Sequence, residues 1–396
     1  MKSILILSHA MELGGAEKSL LGLLNAIDSK KYQVDLFLMR HEGSLLEDIP
    51  ENINLLPEIP AYTVLARPLK DVIKERHFIL AFGRIVGKIK ARSYEKKRNI
   101  IDSGVGLEYS HKYTVPYMPK IQKQKVYDMA IQFLTPHYFV EQKVRAKKKI
   151  AWIHTDYSKV QINVESELKM WKKYDKIVSI SDAVTESFLK VFPDLKDKIV
   201  VIENILPEQL IYKQMDEFDV SEEMFSEGVK LLSIGRYCYA KTDNIPNICS
   251  RMLNKGINIT WYIIGFGVAE ELIKEKIREE KMENHVILLG KKQNPYPYIK
   301  ACDIYVQPSR YEGKSVAVRE AQLIKKPVII TNYSTAKSQL ENEIDGLIVP
   351  MENKDCADQM VEIIQDVEKL RKISEACSKR DYSNKREVQK LYKLFE

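Results

Sequence analysis

Val229-Lys-Leu-Leu-Ser-Ile-Gly235 is a short apolar run that ends in a glycine turn, and it repeats the pattern of the opening stretch Ser3-Ile-Leu-Ile-Leu-Ser8. A helical pattern follows each run, so each begins a strand, a turn and a helix. Further apolar runs rich in β-branched residues lie at 32–39, 127–134, 149–154, 174–180 and 198–203, and then at 259–264, 285–289, 303–307, 327–331 and 346–349. Strands that alternate with helices predict an α/β fold with parallel sheets covered on both faces.

The restart of the pattern, together with the length of 396 residues, predicts two domains because one hydrophobic core rarely grows that large. We expect a Rossmann-like N-terminal domain over 1–205, a polar and acidic linker over 206–228, and a Rossmann-like C-terminal domain over 229–383. The last stretch, 384–396, has helical spacing and is expected to pack back on the first domain. Ligands of open α/β sheets bind beyond the carboxyl ends of the strands, so two facing domains would share a ligand in the cleft between them.

The composition of the chain argues against several classes of protein. No apolar stretch approaches the roughly 20 residues that span a bilayer, and the N-terminus enters a strand at once, so we expect a cytoplasmic protein. The five cysteines form no Cys-x-x-Cys pair, which disfavours a zinc site and a disulfide framework.

The net charge of +7 is concentrated in a basic block over residues 67–98, which holds 11 Lys and Arg against 3 acidic residues. The block surrounds the apolar stretch Phe78-Ile-Leu-Ala-Phe82, a pattern typical of amphipathic helices that meet an anionic leaflet. Such a helix would place the protein on the inner face of the cell membrane. A solvated charged face is the equal alternative. Nucleic acid is not expected as a partner, because the block contains no reading motif or aromatic stacking platform.

The most informative loop is Ser309-Arg-Tyr-Glu-Gly-Lys-Ser-Val-Ala-Val-Arg-Glu320-Ala321, which follows a predicted strand and opens a helix. It carries two carboxylates, Glu312 and Glu320, eight positions apart. A helix N-terminus binds a diphosphate through free backbone N–H groups. Here those groups would belong to the residues after Gly313, namely Lys314, Ser315 and Val316. Carboxylates accept hydrogen bonds from sugar hydroxyls, so the loop suits a ligand with both a diphosphate and a sugar.

This Glu-x7-Glu arrangement resembles the signature of family-4 retaining glycosyltransferases of the GT-B fold. The resemblance implies that Glu312 contacts the donor sugar and that Glu320 holds the ribose hydroxyls of a nucleotide-diphosphate sugar. The common form of the motif has an aromatic residue and a proline after the glycine, whereas this chain has Lys314 and Ser315. The identity of the donor sugar therefore stays open.

The second loop, Ser233-Ile-Gly235-Arg236-Tyr-Cys-Tyr-Ala-Lys241, brings two cations to a strand end. Fixed positive charge stabilises a departing diphosphate, in place of a magnesium ion. The loop resembles the Gly-Arg followed by Lys of the same family, which implies that Gly235 approaches the donor and that Arg236 and Lys241 act on the leaving group.

The third loop contains Gly14-Gly15-Ala16-Glu17, where two glycines let the backbone pass close to a ligand. It resembles the family's Gly-Gly-Ala-Glu loop, which implies that Gly14 and Gly15 lie against the donor phosphates and that Gly15 also faces the acceptor. A Gly-x-Gly-x-x-Gly stretch is absent, which argues against a nicotinamide enzyme.

Four more positions are assigned by the resemblance. In Ala151-Trp-Ile-His154-Thr-Asp156, His154 is expected to contact the transferred sugar, and Asp156 is expected on the acceptor side. Gly267 and Lys292, which follow two strands of the second domain, are expected to support the donor's phosphates and base.

The resemblance implies a retaining transfer of a sugar, with UDP as the expected carrier, to a glycan or lipid-linked saccharide of a capsule-type cell-surface polysaccharide. Because no second carboxylate is identified for a double displacement, we favour front-face substitution with no metal and no other cofactor. A nucleotide-sugar epimerase or hydrolase of the same architecture is the alternative enzyme, and it would need no acceptor. A basic nucleic-acid-binding protein is the alternative without catalysis.

Overall fold

The computed structural model describes residues 1–100, 103–157 and 160–396. The chain forms two compact units: the first comprises Met1–Ile205 with Lys385–Glu396, and the second comprises Leu206–Asn384. No helix in the described ranges has the length and the apolar character needed to cross a lipid bilayer.

The first unit contains a parallel sheet. Its strands in the described residues are β1 Lys2–Ser8, β2 Tyr32–Leu38, β3 Asn54–Leu55, β4 Tyr127–Gln132, β5 Ala146–Ile153, β6 Lys176–Ser179 and β7 Ile199–Val201. They lie side by side in the order β3-β2-β1-β4-β5-β6-β7. The central strand β1 is apolar along most of its length, and Ile4 to Leu7 are fully buried because helices cover both faces of the sheet.

Eight helices precede the second unit in the described part of the chain. They are α1 Gly15–Ala26, α2 Pro60–Thr63, α3 Leu69–Lys74, α4 Phe78–Arg98, α5 Val105–Thr114, α6 Tyr138–Lys143, α7 Val164–Trp171 and α8 Asp182–Val191, with short 3₁₀ helices at Val115–Tyr117 and Pro193–Lys198.

Helices α4 and α5 pack against each other through glycines. A Cβ atom at Gly83 or Gly87 would lie 2.6 Å from the backbone oxygen of Tyr113 or Tyr109, respectively. The two backbones can therefore approach closely only because these positions carry no side chain.

The second unit contains another parallel sheet. Its described strands are β8 Val229–Ile234, β9 Ile259–Ile264, β10 Val286–Gly290, β11 Ile304–Gln307, β12 Val328–Thr331 and β13 Leu347–Val349, in the order β10-β9-β8-β11-β12-β13. Its helices are α9 Glu208–Gln214, α10 Ile245–Asn254, α11 Glu270–Glu279, α12 Tyr296–Ala301, α13 Val316–Leu323, α14 Ala336–Gln339, α15 Asn353–Gln365 and α16 Val367–Ser378. The predicted α/β class with two parallel sheets is confirmed, and every predicted apolar run contains a strand.

Residues 206–228, which the sequence suggests as a linker, belong to the second unit. They include α9, and Ile211, Val220 and Met224 are buried in the hydrophobic core of that unit. The linker interpretation was wrong because these three apolar side chains, although widely spaced in an acidic stretch, find a common core.

The chain ends with the 3₁₀ helix Lys385–Glu387 and with α17 Val388–Lys393, which both belong to the first unit. The Tyr392 ring stacks on Tyr32 at 4.4 Å between centroids, and its hydroxyl accepts a hydrogen bond of 2.8 Å from the backbone N–H of Asp28. These contacts hold the terminal segment on the first unit.

Candidate functional site

Two neighbouring strands of the second unit deliver the predicted donor-binding loops. β8 pairs with β11 in parallel, with Leu231 opposite Ile304 and Leu232 opposite Tyr305. Their carboxyl ends therefore meet at one edge of the sheet, which brings the loop after Ile234 beside the loop after Gln307.

Glu312 and Lys241, one from each loop, form an ion pair at this edge. The Lys241 Nζ atom lies 2.8 Å from Glu312 Oε1 and 2.9 Å from Oε2. Ser309 Oγ donates a 2.8 Å hydrogen bond to Glu312 Oε1, and Gln307 Nε2 donates to the same oxygen at 3.2 Å. Glu312 is 6% exposed, so its charge is held in place by these donors and by the lysine.

The backbone around Glu312 is also fixed. Thr335 Oγ1 donates a 2.8 Å hydrogen bond to the carbonyl oxygen of Glu312. The hydroxyl of Tyr333 is buried and lacks a hydrogen-bond partner in the described part of the chain. Burial first, and the nearby Glu312 charge second, raise the pKa of Tyr333. A neutral phenol with an unused donor beside Glu312 suits a hydroxylated ligand.

Glu320 lies on α13, as predicted, and is 1% exposed. The hydroxyl of Tyr296, from the start of α12, donates a 2.9 Å hydrogen bond to Glu320 Oε1. The tyrosine orients this carboxylate, and carboxylate oxygens can accept from further donors.

The start of α13 holds a hydrogen bond to a side chain of α14. Ser315 is the N-cap, and its Oγ accepts a 3.4 Å hydrogen bond from Val318 N–H. The Ser315 N–H donates a 2.7 Å hydrogen bond to Gln339 Oε1. The anion site expected at Lys314, Ser315 and Val316 stays a prediction, and at Ser315 a diphosphate would have to displace the Gln339 side chain of α14.

Gly313 borders open space, since a Cβ added there would meet nothing within 4 Å. Gly235 is the first residue after β8, and a Cβ there would touch Lys241 Cδ at 3.5 Å. A ligand atom could therefore approach the backbone at Gly313, whereas Lys241 already lies against Gly235.

Arg236 differs from Lys241 because its side chain is exposed and unengaged. In the described residues the guanidinium makes no ion pair and no hydrogen bond. A cation free at the carboxyl end of β8, next to one held by Glu312, leaves a positive charge that can receive an anionic ligand.

Asp243 and Arg310, which the sequence reasoning missed, tie the two loops together. The Arg310 guanidinium binds the buried Asp243 carboxylate and lies 4.9 Å from the centre of the Tyr239 ring. Asn244 Nδ2 also donates a 2.9 Å hydrogen bond to Pro308 O. Arg310 lies two residues before Glu312, and Asp243 lies two residues after Lys241. This spacing is the signal that could have suggested an ion pair between the two loops.

Gly267 and Lys292 have structural partners. A Cβ at Gly267 would lie 2.4 Å from Tyr237 O, so the glycine is needed where the β9 loop crosses the β8 loop. Lys292 pairs with Glu223 Oε2 at 2.5 Å and lies over the Tyr298 ring. Their proposed contacts with the donor remain predictions.

In the first unit, Gly14 and Gly15 begin α1 directly after the β1 loop, with Gly14 as the N-cap in an extended conformation. A Cβ at Gly14 would lie 2.2 Å from Glu17 Oε2, so the Glu17 carboxylate lies directly against this glycine. Their roles toward the donor and the acceptor stay predictions.

His154 and Asp156 follow β5 at its carboxyl end. The His154 ring packs on Phe133 at 4.6 Å and lies nearly parallel to Trp152. Burial lowers the pKa of His154 to about 3, so the imidazole is neutral near pH 7. Its Nε2 atom is enclosed and has no hydrogen-bond partner in the described ranges. Asp156 is partly buried and already has an interaction.

His9, which comes directly after β1, has the same character. Burial lowers the pKa of His9 to about 4, and its ring lies 5.9 Å from that of His111. Sequence reasoning passed over His9, although its position after the first strand matches that of His154 after β5.

Residues 215–382, nearly all of the second unit, match the family model of glycosyl transferases group 1. The second unit is a group 1 glycosyl transferase domain. The resemblance inferred from the Glu-x7-Glu motif is thereby confirmed for the domain that contains Glu312, Lys241 and Arg236.

Relatives of the chain include two bacterial enzymes. The chain is 24% identical over 205 residues to the N-acetylgalactosamine-N,N'-diacetylbacillosaminyl-diphospho-undecaprenol 4-alpha-N-acetylgalactosaminyltransferase of Campylobacter jejuni, covering 51% of this chain and 54% of that enzyme. It is 27% identical over 116 residues to the UDP-Gal:alpha-D-GlcNAc-diphosphoundecaprenol alpha-1,3-galactosyltransferase of Escherichia coli, covering 29% and 30%. The matches thus span about half or less of these relatives.

Solved structures match across both units. Anabaena HepE in complex with UDP-glucose aligns with a TM-score of 0.65 at 16% identity, covering 99% of this chain and all of that one. TarM aligns with a TM-score of 0.65 at 12% identity, covering all of this chain and 99% of that one. The chain therefore has the GT-B fold, whose second unit is the group 1 domain.

Proposed function

We propose that this protein is a retaining glycosyltransferase that moves a hexose-type sugar from a UDP-sugar to a glycan or lipid-linked saccharide, without a metal ion at the reacting centre. The observation that carries the proposal is the pairing of Lys241 with the buried Glu312, whose Oε2 accepts from Lys241 alone in the described residues, beside the unengaged Arg236. These groups offer a carboxylate to sugar hydroxyls and two cations to a diphosphate.

The proposed roles of the site residues follow from their charges. Arg236 and Lys241 would bind the diphosphate oxygens and stabilise the negative charge that develops as the sugar leaves. Glu312 would accept hydrogen bonds from the donor sugar, and Glu320, oriented by Tyr296, would accept those of the ribose. In this proposal the two protein cations take the place of a metal ion at the leaving group.

The transfer step we propose occurs on one face of the sugar. The bond between the anomeric carbon and the phosphate oxygen breaks, and that oxygen takes the proton of the acceptor hydroxyl. The acceptor oxygen forms the new bond on the same face, so the configuration at the anomeric carbon is retained. The neutral His154 imidazole would contact the transferred sugar through hydrogen bonds without adding charge.

The names of the relatives support the choice of substrates. The E. coli relative is named for UDP-galactose, and both bacterial relatives are named for diphospho-undecaprenol-linked saccharides. A comparable acceptor in the assembly of a cell-surface polysaccharide would suit this chain.

Acceptor dependence separates transfer from the alternative chemistry. We expect the purified protein to release UDP from a UDP-sugar only when a saccharide acceptor is present, and at an unchanged rate in EDTA. Release without acceptor, or conversion of the donor to its epimer, would instead favour a hydrolase or an epimerase. Loss of turnover in EDTA, restored by Mg²⁺, would contradict metal independence.

We also propose that the first unit docks on an anionic membrane through α4. The outer face of this helix carries Phe78, Phe82, Ile85 and Ile89, spaced by four, three and four residues, and this set is termed the apolar stripe. Phe78, Phe82 and Ile89 are 60%, 61% and 61% exposed. The opposite face, with Gly83 and Gly87, packs on α5. A surface helix normally turns polar residues to water, so an apolar outer face flanked by cations favours a bilayer interface.

Flotation with liposomes tests this docking. The protein should float with vesicles that contain anionic lipid at low salt, and the double variant F82S/I89S should not. No flotation of the wild-type protein would remove the membrane proposal and leave the proposed transfer chemistry untouched.

A further inference from the structure

A cavity of about 380 Å³ opens beside the apolar stripe of α4. Its wall combines residues of α3, α4 and α5, and its polar lining is formed by Arg84, Lys88, Arg92, Glu95 and Ser110. This volume lies within the roughly 300–1,000 Å³ of cavities that bind small ligands.

The cations of this cavity form one row along α4. Arg84, Lys88 and Arg92 are spaced four residues apart, and side chains at that spacing lie above one another on a helix. Against three positive charges the lining holds one carboxylate, Glu95, which accepts a 2.5 Å hydrogen bond from Ser103 Oγ. The cavity therefore has an excess of positive charge.

Two of the three cations are unengaged. Arg84 Nη1 donates 2.6 Å hydrogen bonds to the backbone oxygens of Val64 and Arg67, so Arg84 is fixed in place. Lys88 and Arg92 are exposed and, in the described part of the chain, form neither an ion pair nor a hydrogen bond. An anion that enters the cavity would find one rigid and two adaptable donors.

The cavity and the apolar stripe share a residue. Ile85 lines the cavity and is also part of the stripe. A ligand whose anionic group enters the cavity would therefore extend its remaining length over Phe82 and Ile89. A ligand with an anionic head and an apolar chain matches both surfaces at once.

We propose that this cavity binds the phosphate headgroup of a lipid, with Lys88 and Arg92 as its charged ligands and the α4 apolar stripe as the contact for the acyl chains. Phosphate suits the site because guanidinium and ammonium groups bind its oxygens with charge-assisted hydrogen bonds. The proposal rests on the membrane docking proposed above, and it adds a specific site to what could otherwise be diffuse attraction.

The test compares two charge-matched variants of the 396-residue chain. K88Q/R92Q removes the two unengaged cations of the cavity, and K96Q/K97Q removes two exposed cations of the same helix outside its lining. Arg84 is left intact because it bonds the backbone. Binding is measured by co-sedimentation with vesicles of phosphatidylcholine alone, with added phosphatidic acid, and with added phosphatidylglycerol at matched surface charge.

We expect the wild-type protein to prefer phosphatidic acid, whose phosphate monoester is the least hindered headgroup. K88Q/R92Q should weaken this binding by about 100-fold or more, since each cation that bonds the phosphate directly contributes about ten-fold or more. K96Q/K97Q should weaken it clearly less. Equal losses in the two variants, with equal binding to both anionic lipids, would overturn the site while leaving membrane docking in place.

Calorimetry with inorganic pyrophosphate distinguishes the source of the phosphate. One outcome is that the wild-type protein binds pyrophosphate but none of the vesicles, with the heat of binding lost in K88Q/R92Q. That result would overturn the lipid assignment in favour of a free phosphate. Absence of binding to every vesicle and to pyrophosphate would overturn the site altogether, and UDP release by the same preparation would show whether the transferase proposal still stands.

Discussion

The ammonium of Lys241 lies 2.8 Å from the Glu312 carboxylate, although the two residues are 71 positions apart in the chain. Their contact depends on the adjacency of β8 and β11, which places the loops after both strands at one sheet edge. A cation and a carboxylate held this way can separate toward a diphosphate and a sugar when a donor binds.

The proposed leaving-group role predicts a loss of turnover when either cation is removed. Lys241→Met and Arg236→Ala should each lower kcat by about 10²–10³-fold, the usual effect of deleting one preorganised charge donor. Lys274→Met is the control, because Lys274 pairs with Glu270 and Glu271 on the exposed face of α11. Steady-state UDP release measures kcat, and full activity in both site variants would refute the leaving-group role.

Glu320 is expected to act on binding of the nucleotide. Glu320→Gln should weaken UDP binding by about ten-fold or more, since hydrogen bonds to a charged group contribute about 1.5–3 kcal/mol. Tyr296→Phe removes the 2.9 Å bond that orients Glu320 but keeps the carboxylate, so its effect should be smaller. Calorimetric titration with UDP provides both dissociation constants, and an unchanged value for Glu320→Gln would exclude the ribose contact.

The buried carboxylate of Glu167 makes the stability of the first unit depend on pH. Burial first, and the Glu108 charge second, raise the pKa of Glu167 to about 7. A carboxyl group whose pKa is raised on folding destabilises the native state as pH rises from the unfolded pKa to the folded one, at about 1.4 kcal/mol per pKa unit.

Glu167→Gln should therefore gain stability over wild type as pH rises from about 4.5 to 7, with no relative gain below that window. Urea denaturation at several pH values measures this difference. Glu165→Gln on the same helix is the control, because Glu165 is fully exposed and paired with Lys169. A Glu167→Gln curve parallel to wild type would contradict the raised pKa.

The close packing of α4 on α5 predicts a penalty for a single methyl group. Gly83→Ala and Gly87→Ala should each destabilise the protein by about 1–3 kcal/mol, because the new Cβ would overlap a backbone oxygen of α5. Gly106→Ala is the control, since a Cβ there meets nothing within 4 Å and should leave stability unchanged or raise it. Equal melting temperatures for all three variants would show that the helices pack less closely.

The strands and the two carboxylates could be predicted from the sequence because their signals are local. Apolar runs such as Val229–Ile234 carry their own evidence for a buried strand, and Glu312 and Glu320 fall in one short motif. The two-residue strand Asn54–Leu55 was missed because it is too short to show a pattern.

Other features depend on contacts between distant parts of the chain. Gln339 accepts the hydrogen bond of the Ser315 N–H although the two residues are 24 positions apart, and Asp243 binds Arg310, which is 67 positions away in the chain. The outward apolar stripe of α4 could be placed only once Gly83 and Gly87 were seen to face α5. A local sequence pattern does not indicate whether a hydrogen-bond donor already has a partner, or which face of a helix is exposed to solvent.

A thermal-shift panel of nucleotides in the presence of EDTA tests the central claim, a metal-independent site for a nucleotide diphosphate at the ends of β8 and β11. UDP at about one hundred times its Kd should stabilise the wild-type protein by about 2.7 kcal/mol, with a smaller shift for Glu320→Gln. No stabilisation by any nucleoside diphosphate would contradict the account.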